Sequence, residues 1–308
     1  MTKQRIIVTG GAGFIGSHVA DALVSDGHQV AVIDDLSSGK KENVPEGVEL
    51  VAADIRSKEA ATFVSDFKPE TLYHLAAQMD VRKSVYDPSF DADVNIRGAL
   101  NLIESGRRAG LNRVVFSSTG GAIYGEQNVY PADESHAEWP LSPYGITKLA
   151  LEKYLYYYHV EYGLNVVCLR YANVYGPRQN AHGEAGVIAI FSRKLLAGEA
   201  PTIFGDGENT RDFVFVGDVV KANKAGIDQT GYRIYNVGTG VESTVNDVYN
   251  KLNSIIGAGI APIYADARPG EQRRSAITAK KIKEALGVSI DTTLADGLEK
   301  TVAWFKTN

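Results

Sequence analysis

The tightest constraint on this chain is a glycine-rich turn set between a short β-branched run and a helix-like stretch near its beginning. Ile6-Ile7-Val8-Thr9 leads directly into Gly10-Gly11-Ala12-Gly13-Phe14-Ile15-Gly16-Ser17-His18, and a helix-like Val19 to Ser25 follows. Gly10 and Gly13 let the backbone turn sharply and approach a pyrophosphate at a helix N-terminus, where free amides and the helix dipole favour an anion, while Gly16 permits close helix–strand packing. A glycine turn alone says little. Its setting says more: the second strand-like run, Val30 to Asp34, ends on a carboxylate about twenty residues beyond the loop, where an acid can accept hydrogen bonds from adenosine ribose hydroxyls. An acid there repels a 2′-phosphate, so the expected cofactor is NAD and not NADP.

The alternation continues along the chain. Strand-like runs at Glu49 to Ala53, Thr71 to Leu75, Arg113 to Ser117 and Val166 to Arg170 are separated by amphipathic stretches, which predicts an α/β chain built on a Rossmann-type doubly wound parallel sheet. Beyond Tyr175 the pattern loosens, with turn signals at Gly205-Asp206-Gly207 and Gly238-Thr239-Gly240 and a helical stretch from Val245 to Ile256. This predicts a smaller C-terminal α/β cap that covers the substrate. Residues 1–175 are read as the NAD-binding domain, with a returning segment near 212–240; residues 176–211 and 241–308 are read as mainly substrate-binding. Ligands of such sheets gather at the carboxyl ends of the strands, which places Asp54 and Ala76-Ala77 beside the cofactor.

With 308 residues and 44% hydrophobic content, the chain can bury a large core, and its formal net charge of −5 comes without the basic stripe that tracks a phosphate backbone. Nucleic acid is therefore not an expected partner. The only cysteine, Cys168, lies in the apolar run Val166-Val167-Cys168-Leu169, so there is no intrachain disulfide and no cysteine cluster for a metal. Met1 to Arg5 passes straight into the first strand without the longer apolar stretch of a signal peptide or membrane span, so a cytoplasmic protein with no membrane partner is expected. No metal is expected either: none of the six histidines has a partner at ligand spacing, and His74 within Leu72-Tyr73-His74-Leu75 reads as a core histidine. The tyrosine-rich Tyr154-Leu155-Tyr156-Tyr157-Tyr158 reads as core and oligomer-interface packing.

The catalytic candidate is Ser142-Pro143-Tyr144-Gly145-Ile146-Thr147-Lys148. It reads as a helix start, with Ser142 as N-cap and Pro143 in the first turn, so that Tyr144 and Lys148 share one face. A phenol is a poor base at neutral pH, but a neighbouring ammonium and an oxidised nicotinamide both favour the tyrosinate. Lys148 can also hold the nicotinamide ribose. Ser117-Ser118-Thr119, at the end of the strand beginning near Val114, offers the third member, a hydroxyl that shares the substrate proton.

Together these residues resemble the extended short-chain dehydrogenases/reductases, in the NAD-dependent epimerase/dehydratase family. The similarity runs over nearly the whole chain, through Thr9 to Gly16, Asp34-Asp35-Leu36, His74 to Ala77, Ser117-Ser118-Thr119 with Tyr124-Gly125, Tyr144 to Lys148, Arg170 to Pro177, and Arg211 to Val216. The resemblance implies that Gly10, Gly13, Phe14, Ile15, Asp34, Asp35, Leu36, Ser37, Asp54, Ile55, Leu75, Ala76, Ala77, Asn95, Ser117, Tyr144, Lys148 and Ala172 surround NAD. It also places Thr119, Asn173, Val187, Ile203, Phe204, Arg211, Arg268 and Glu271 around a UDP-sugar. In that arrangement Asn173 holds the sugar nucleotide, Arg211 and Arg268 neutralise its diphosphate, and Glu271 lies near the uridine ribose. Arginine forks suit phosphate oxygens and stay cationic when partly buried.

The family's 4,6-dehydratases carry an Asp-Glu pair directly after the catalytic threonine, and its decarboxylases a Glu. Here those positions are Gly120-Gly121. Without a carboxylic acid and base for eliminating water, the resemblance implies oxidation and reduction at one carbon. That is 4-epimerisation of a UDP-hexose through a transient 4-keto sugar, with Thr119, Tyr144 and Lys148 catalytic and NAD retained. The loop from Ser118 to Tyr124 is one residue longer than the usual epimerase pattern, so Ser118 stands as the alternative to Thr119. A small residue, Ser275, stands where some members have a bulky gate beside the sugar's C2 substituent, which opens the pocket to UDP-N-acetylhexosamines. UDP-glucuronate 4-epimerisation, a one-way reductase and a non-catalytic NAD sensor are the competing readings. The helices around Asn95 to Arg107 and Tyr144 to Tyr162 are expected, from the resemblance, to form a homodimer interface.

Overall fold

The structure, a computed structural model, describes residues 3–180, 186–267 and 272–308. The first half alternates strand and helix: β1 (Arg5–Thr9), α1 (Phe14–Ser25), β2 (Gln29–Asp34), β3 (Glu49–Ala52), α2 (Lys58–Phe67) and β4 (Thr71–His74). Two short helices follow, α3 (Val81–Tyr86) and α4 (Pro88–Ala92), and a π-helical turn at Asp93–Gly98 leads into α5 (Ala99–Arg108). Then come β5 (Arg113–Thr119), the single turn α6 (Gly120–Ile123), the long α7 (Pro143–Tyr162) and β6 (Asn165–Tyr171). The remainder comprises β7 (Asn173–Tyr175), α8 (Val187–Leu196), β8 (Thr202–Phe204), β9 (Thr210–Phe215), α9 (Val216–Gly226), β10 (Tyr232–Val237), β11 (Glu242–Thr244), α10 (Val245–Ile256), β12 (Ile263–Ala265), α11 (Lys280–Leu286) and α12 (Leu294–Phe305).

Seven strands, all parallel to their neighbours, form the main sheet in the order β10-β6-β5-β4-β1-β2-β3. Both faces are apolar because the strands alternate. Ile7, Ile33, Leu72, Phe116 and Cys168 pack under α2, α5 and α7, whereas Ile6, Val8, Val32, Val115 and Leu169 pack under α1 and α9. The six strands expected from the sequence are present, and β10 joins them at the edge by pairing with β6.

The cap is made of a three-stranded sheet, β11-β9-β7, a two-stranded sheet, β12-β8, and the helices α8, α10 and α12, closed around Phe191, Ile203, Val248, Leu252, Leu298 and Val302. The start of α10 is fixed by a capping box in which the Thr244 hydroxyl accepts from the Asp247 amide and the Asp247 carboxylate from the Thr244 amide. No described helix is long and apolar enough to cross a membrane.

Candidate functional site

The strand order reverses between β1 and β4, and the crevice outside the carboxyl ends at such a switch is where ligands of these sheets bind. The glycine loop leaves β1 at this point. Gly10 has φ +69°, and a Cβ on it would lie 2.8 Å from the Ala76 amide nitrogen. A Cβ on Gly16 would lie 2.1 Å from the Gly10 carbonyl oxygen, so this glycine packs against the turn itself and not against a strand. Helix α1 begins at Phe14 with Gly13 as N-cap and no capping side chain, which leaves its first-turn amides to an anion.

Asp34 is buried at the end of β2. Its carboxylate accepts from the amides of Ala12 (3.0 Å) and Leu36 (2.9 Å). Burial pushes its pKa up and these amides oppose the rise. The acid therefore braces the glycine loop, and each oxygen keeps a lone pair for a ribose hydroxyl. Next to it, Leu36 has φ +58°, and Asp35 caps the turn by accepting from the amide and hydroxyl of Ser37. Asp54 is held by the Arg56 guanidinium (Nη2 at 2.5 Å), which keeps its carboxyl below the usual range, and Arg56 also reaches Asp93. Ile55 belongs to the core beneath. A turn that admits no Cβ at Gly10, an uncapped helix N-terminus with Phe14 and Ile15 in its first turn, and a buried acid at the tip of β2 fit a dinucleotide cofactor.

The segment after β4 is fastened by a residue that sequence reasoning missed. The Thr9 hydroxyl accepts from the amides of Leu75 and Ala76, and lies 3.0 Å from Nδ1 of His74. His74 is a core histidine: burial, with the Lys148 charge adding, lowers its pKa to about 3, and its ring stacks on Phe116. Ala77 leads on to Gln78, whose amide donates to Oδ1 of Asn95 while its carbonyl accepts from Nδ2. Nδ2 also approaches Asp91 and Thr147. Asn95, expected at the cofactor, lies buried in the π-helical turn with its side chain on Gln78, Asp91 and Thr147.

Helix α7 starts as the sequence predicts, with the Ser142 hydroxyl accepting from the Gly145 amide at 3.2 Å and Pro143 in the first turn. Tyr144 and Lys148 follow one turn apart. The Lys148 ammonium donates to the Ser117 carbonyl at 2.8 Å and lies 5.8 Å from the centroid of the Tyr144 ring. Burial lowers the Lys148 pKa to about 8, against the pull of Asp91 and Glu152. Burial raises the Tyr144 phenol and Asp91 raises it further. The ammonium at this distance does not outweigh the desolvation of the phenol.

Strand alternation sends the two candidate hydroxyls to opposite sides of β5. Ser118 points to α7 and donates to the buried Glu152 carboxylate at 2.6 Å. Thr119 faces the other way and is half-buried. Its oxygen accepts from the Ala122 amide as the N-cap of α6, and its proton remains available. Ser117 reaches the Tyr171 phenol, and Ala172, at the end of β6, hydrogen-bonds through its amide to Val237.

Beneath these groups lies an ionic network that sequence reasoning also missed. Arg170 is fully buried and meets Glu152 through Nε (2.9 Å) and Nη2 (2.5 Å), with further contacts to Glu138 and the Tyr124 hydroxyl. Tyr124 donates onward to Asn236 at 2.7 Å. The signal was present in the spacing, because Glu152 stands one turn beyond Lys148 on the same helix face.

On the substrate side, a Cβ on Gly121 would lie 3.8 Å from Oδ1 of Asn173 and 4.0 Å from the Ser275 hydroxyl, whereas a Cβ on Gly120 would lie 2.4 Å from the Ile277 side chain. Asn173 is exposed at the start of β7, and Ser275 is buried. Asp212, buried beside Arg211, ties this wall together by accepting from the amides of Thr239, Gly240 and Ile277. Arg211 donates to the Thr210 carbonyl, Val187 opens α8, and Phe204 is exposed at the end of β8. The Ile203 side chain is spent in the cap core, which leaves only its backbone for a ligand. Arg268 and Glu271 lie outside the described residues.

The model of the NAD dependent epimerase/dehydratase family matches residues 6–238. A UDP-glucose 4-epimerase of Mycolicibacterium smegmatis is 46% identical over 309 residues, covering 98% of this chain and 99% of the relative. Among solved structures, a Thermotoga maritima UDP-glucose 4-epimerase with UDP-glucose superimposes with a TM-score of 0.96 at 46% identity, covering 98% of both chains. A Thermus thermophilus UDP-glucose 4-epimerase complexed with NAD gives 0.93 at 43% identity, covering 98% of this chain and 99% of that one.

Proposed function

Because the chain belongs to the NAD-dependent epimerase/dehydratase family, we propose that it is an NAD-dependent 4-epimerase of UDP-hexoses, interconverting UDP-glucose and UDP-galactose. The observation that carries the reaction type is the pair Gly120-Gly121. Ile277 occupies the space that a side chain at 120 would need, and Gly121 faces Asn173 and Ser275 with no carboxylate of its own. The site thus offers a base and a hydroxyl at one carbon, without the acid–base pair that elimination of a neighbouring hydroxyl requires.

Bound NAD supplies a hydride acceptor that is restored within each cycle. The glycine loop and the α1 N-terminus hold its pyrophosphate, Asp34 its adenosine ribose, and Lys148 its nicotinamide ribose. Tyr144 takes the proton of the sugar's 4-hydroxyl and returns it, with the Thr119 hydroxyl sharing that proton. Asn173 and Arg211 hold the sugar nucleotide, joined by Arg268 and Glu271. We assign cofactor binding to residues 1–175 together with the returning segment near 212–240, and substrate binding mainly to the cap.

Incubating the purified protein with UDP-galactose, without added NAD, and following the mixture by proton NMR should show UDP-glucose appearing, because a cofactor restored each cycle need not leave. No conversion, even with NAD supplied, sinks the UDP-hexose reading. The resemblance puts Ser275 beside the sugar's C2 substituent, where a small side chain admits an N-acetyl group, so UDP-GlcNAc should turn over within about tenfold of UDP-glucose, the scale set by modest differences in pocket contacts. Steady-state rates with no turnover of UDP-GlcNAc remove that extension.

We also place a homodimer contact on α5 and α7. Helix α7 divides its apolar residues: Leu151, Leu155 and Tyr158 enter the core, while Ile146, Tyr156, Tyr157 and Val160 stay about half exposed or more. A cytoplasmic location accords with the lone buried thiol of Cys168.

A further inference from the structure

Asp91, on the short helix α4, is fully buried, and its hydrogen-bond partners are neutral. Oδ2 accepts from the Thr147 hydroxyl at 2.7 Å, and Oδ1 from Nε2 of Gln78 at 2.9 Å and Nδ2 of Asn95 at 3.2 Å. A buried carboxylate costs free energy that an asparagine of the same shape would avoid, so its retention asks for a charge nearby that it serves. Thr147 lies between Tyr144 and Lys148 on the first turns of α7, and its hydroxyl oxygen is also 3.0 Å from the Tyr144 carbonyl. The Tyr144 amide donates to Ser84 of α3, so the α3–α4 segment is docked against this end of α7.

The groups facing Lys148 are few. Tyr144 and Glu152 share its helix, His74 lies on β4, and Asp91 comes from α4. His74 is held neutral by burial. Glu152 is already committed to Arg170 and Ser118. Among the described residues, Asp91 is the remaining anion near Lys148 without a cation among its hydrogen-bond partners.

We propose that Asp91 is the buried counter-charge of the Tyr144–Lys148 pair, a positioning residue that keeps Lys148 an ammonium at working pH. Its field acts in the same direction on both groups, favouring the charged lysine and the protonated phenol, and so sets the pH at which the pair works. The inference rests on the reading of Tyr144 and Lys148 as the reacting pair.

The experiment is an NMR titration of protein carrying lysine labelled with carbon-13 at Cε, with the Lys148 resonance identified by its loss in Lys148→Met. Removing the anion in Asp91→Asn should lower the Lys148 midpoint by about one pH unit, the scale of a charge removed at short range in a partly screened interior. The pH–rate profile of the same variant should move to lower pH on both limbs, since both groups then lose protons more readily. Asp91→Ser removes the same charge from a smaller side chain and serves if asparagine disturbs folding. Thr147→Val, which removes a hydrogen bond but no charge, should leave the midpoint within a few tenths of a unit. An unchanged Lys148 midpoint in both Asp91 variants overturns the proposal, as does an equal shift in Thr147→Val. The titration reads Lys148 whether or not UDP-hexoses turn over, so its failure is separable from failure of the proposed activity.

Discussion

Tyr144→Phe is expected to slow the conversion of UDP-galactose by about a thousandfold or more, within the upper range for removing a positioned general base. Phenylalanine keeps the ring that α7 presents beside Lys148 and deletes only the group that accepts the proton. Among the described residues, no neighbouring group substitutes for it. Thr119 is a neutral hydroxyl already accepting from Ala122, Ser118 is committed to Glu152, and His74 is buried and points to Thr9. The cofactor should stay bound, because the glycine loop, Asp34 and Lys148 are untouched, and release of NAD from denatured protein measures this directly. A variant that keeps more than a tenth of the parent rate removes Tyr144 as the base and moves the search to the hydroxyls of β5.

The parts of the site that were legible in the sequence are those fixed by neighbours along the chain. The turn from Gly10 to Gly16, the acid closing β2 and the Ser142 cap that starts α7 are local devices, and the structure has them where the spacing put them. Most of the main strands were legible because each carries a run of β-branched or other apolar residues, buried in β1, β2, β4, β5 and β6 and only partly so in β3. The cap strands β7, β8, β11 and β12 have three residues each, too few to show a period, and they exist through pairing with distant partners. Asn95 shows the same limit within the site. The resemblance placed it beside the cofactor, and its side-chain partners Gln78, Asp91 and Thr147, which it meets from a π-helical turn, are not visible in side-chain spacing. The partner of Ser118, Glu152, lies thirty-four residues away, so no local pattern showed that Ser118, the alternative to Thr119, hydrogen-bonds a buried carboxylate. Asp91 matters through contacts to Gln78, Asn95 and Thr147 that no local pattern encodes, whereas for the Arg170 network the spacing showed Glu152 on the face of Lys148 but not its partner.

Arg170→Met is expected to destabilise the fold by about 3–5 kcal/mol, the scale for removing one partner of a buried ion pair. The reason is asymmetry. With arginine present, burial works against its charge, but the Glu152 carboxylate and the Tyr124 hydroxyl hold it firmly protonated. Without it, Glu152 remains fully buried with the Ser118 hydroxyl as its side-chain donor, and Glu138 keeps only exposed Lys153. Urea denaturation of parent and variant measures the loss. A second change, Arg170→Met with Glu152→Gln, should recover a large part of it, because the stranded charge is gone and the two losses are not additive for residues in contact. Ser118 hangs from Glu152 immediately before Thr119, so the single variant should also lower the rate by displacing the third hydroxyl, even at temperatures where it is fully folded. If Arg170→Met costs less than about 1 kcal/mol, the network is not what holds the end of β5 against α7, and the packing of Phe116 and Leu155 must do so instead.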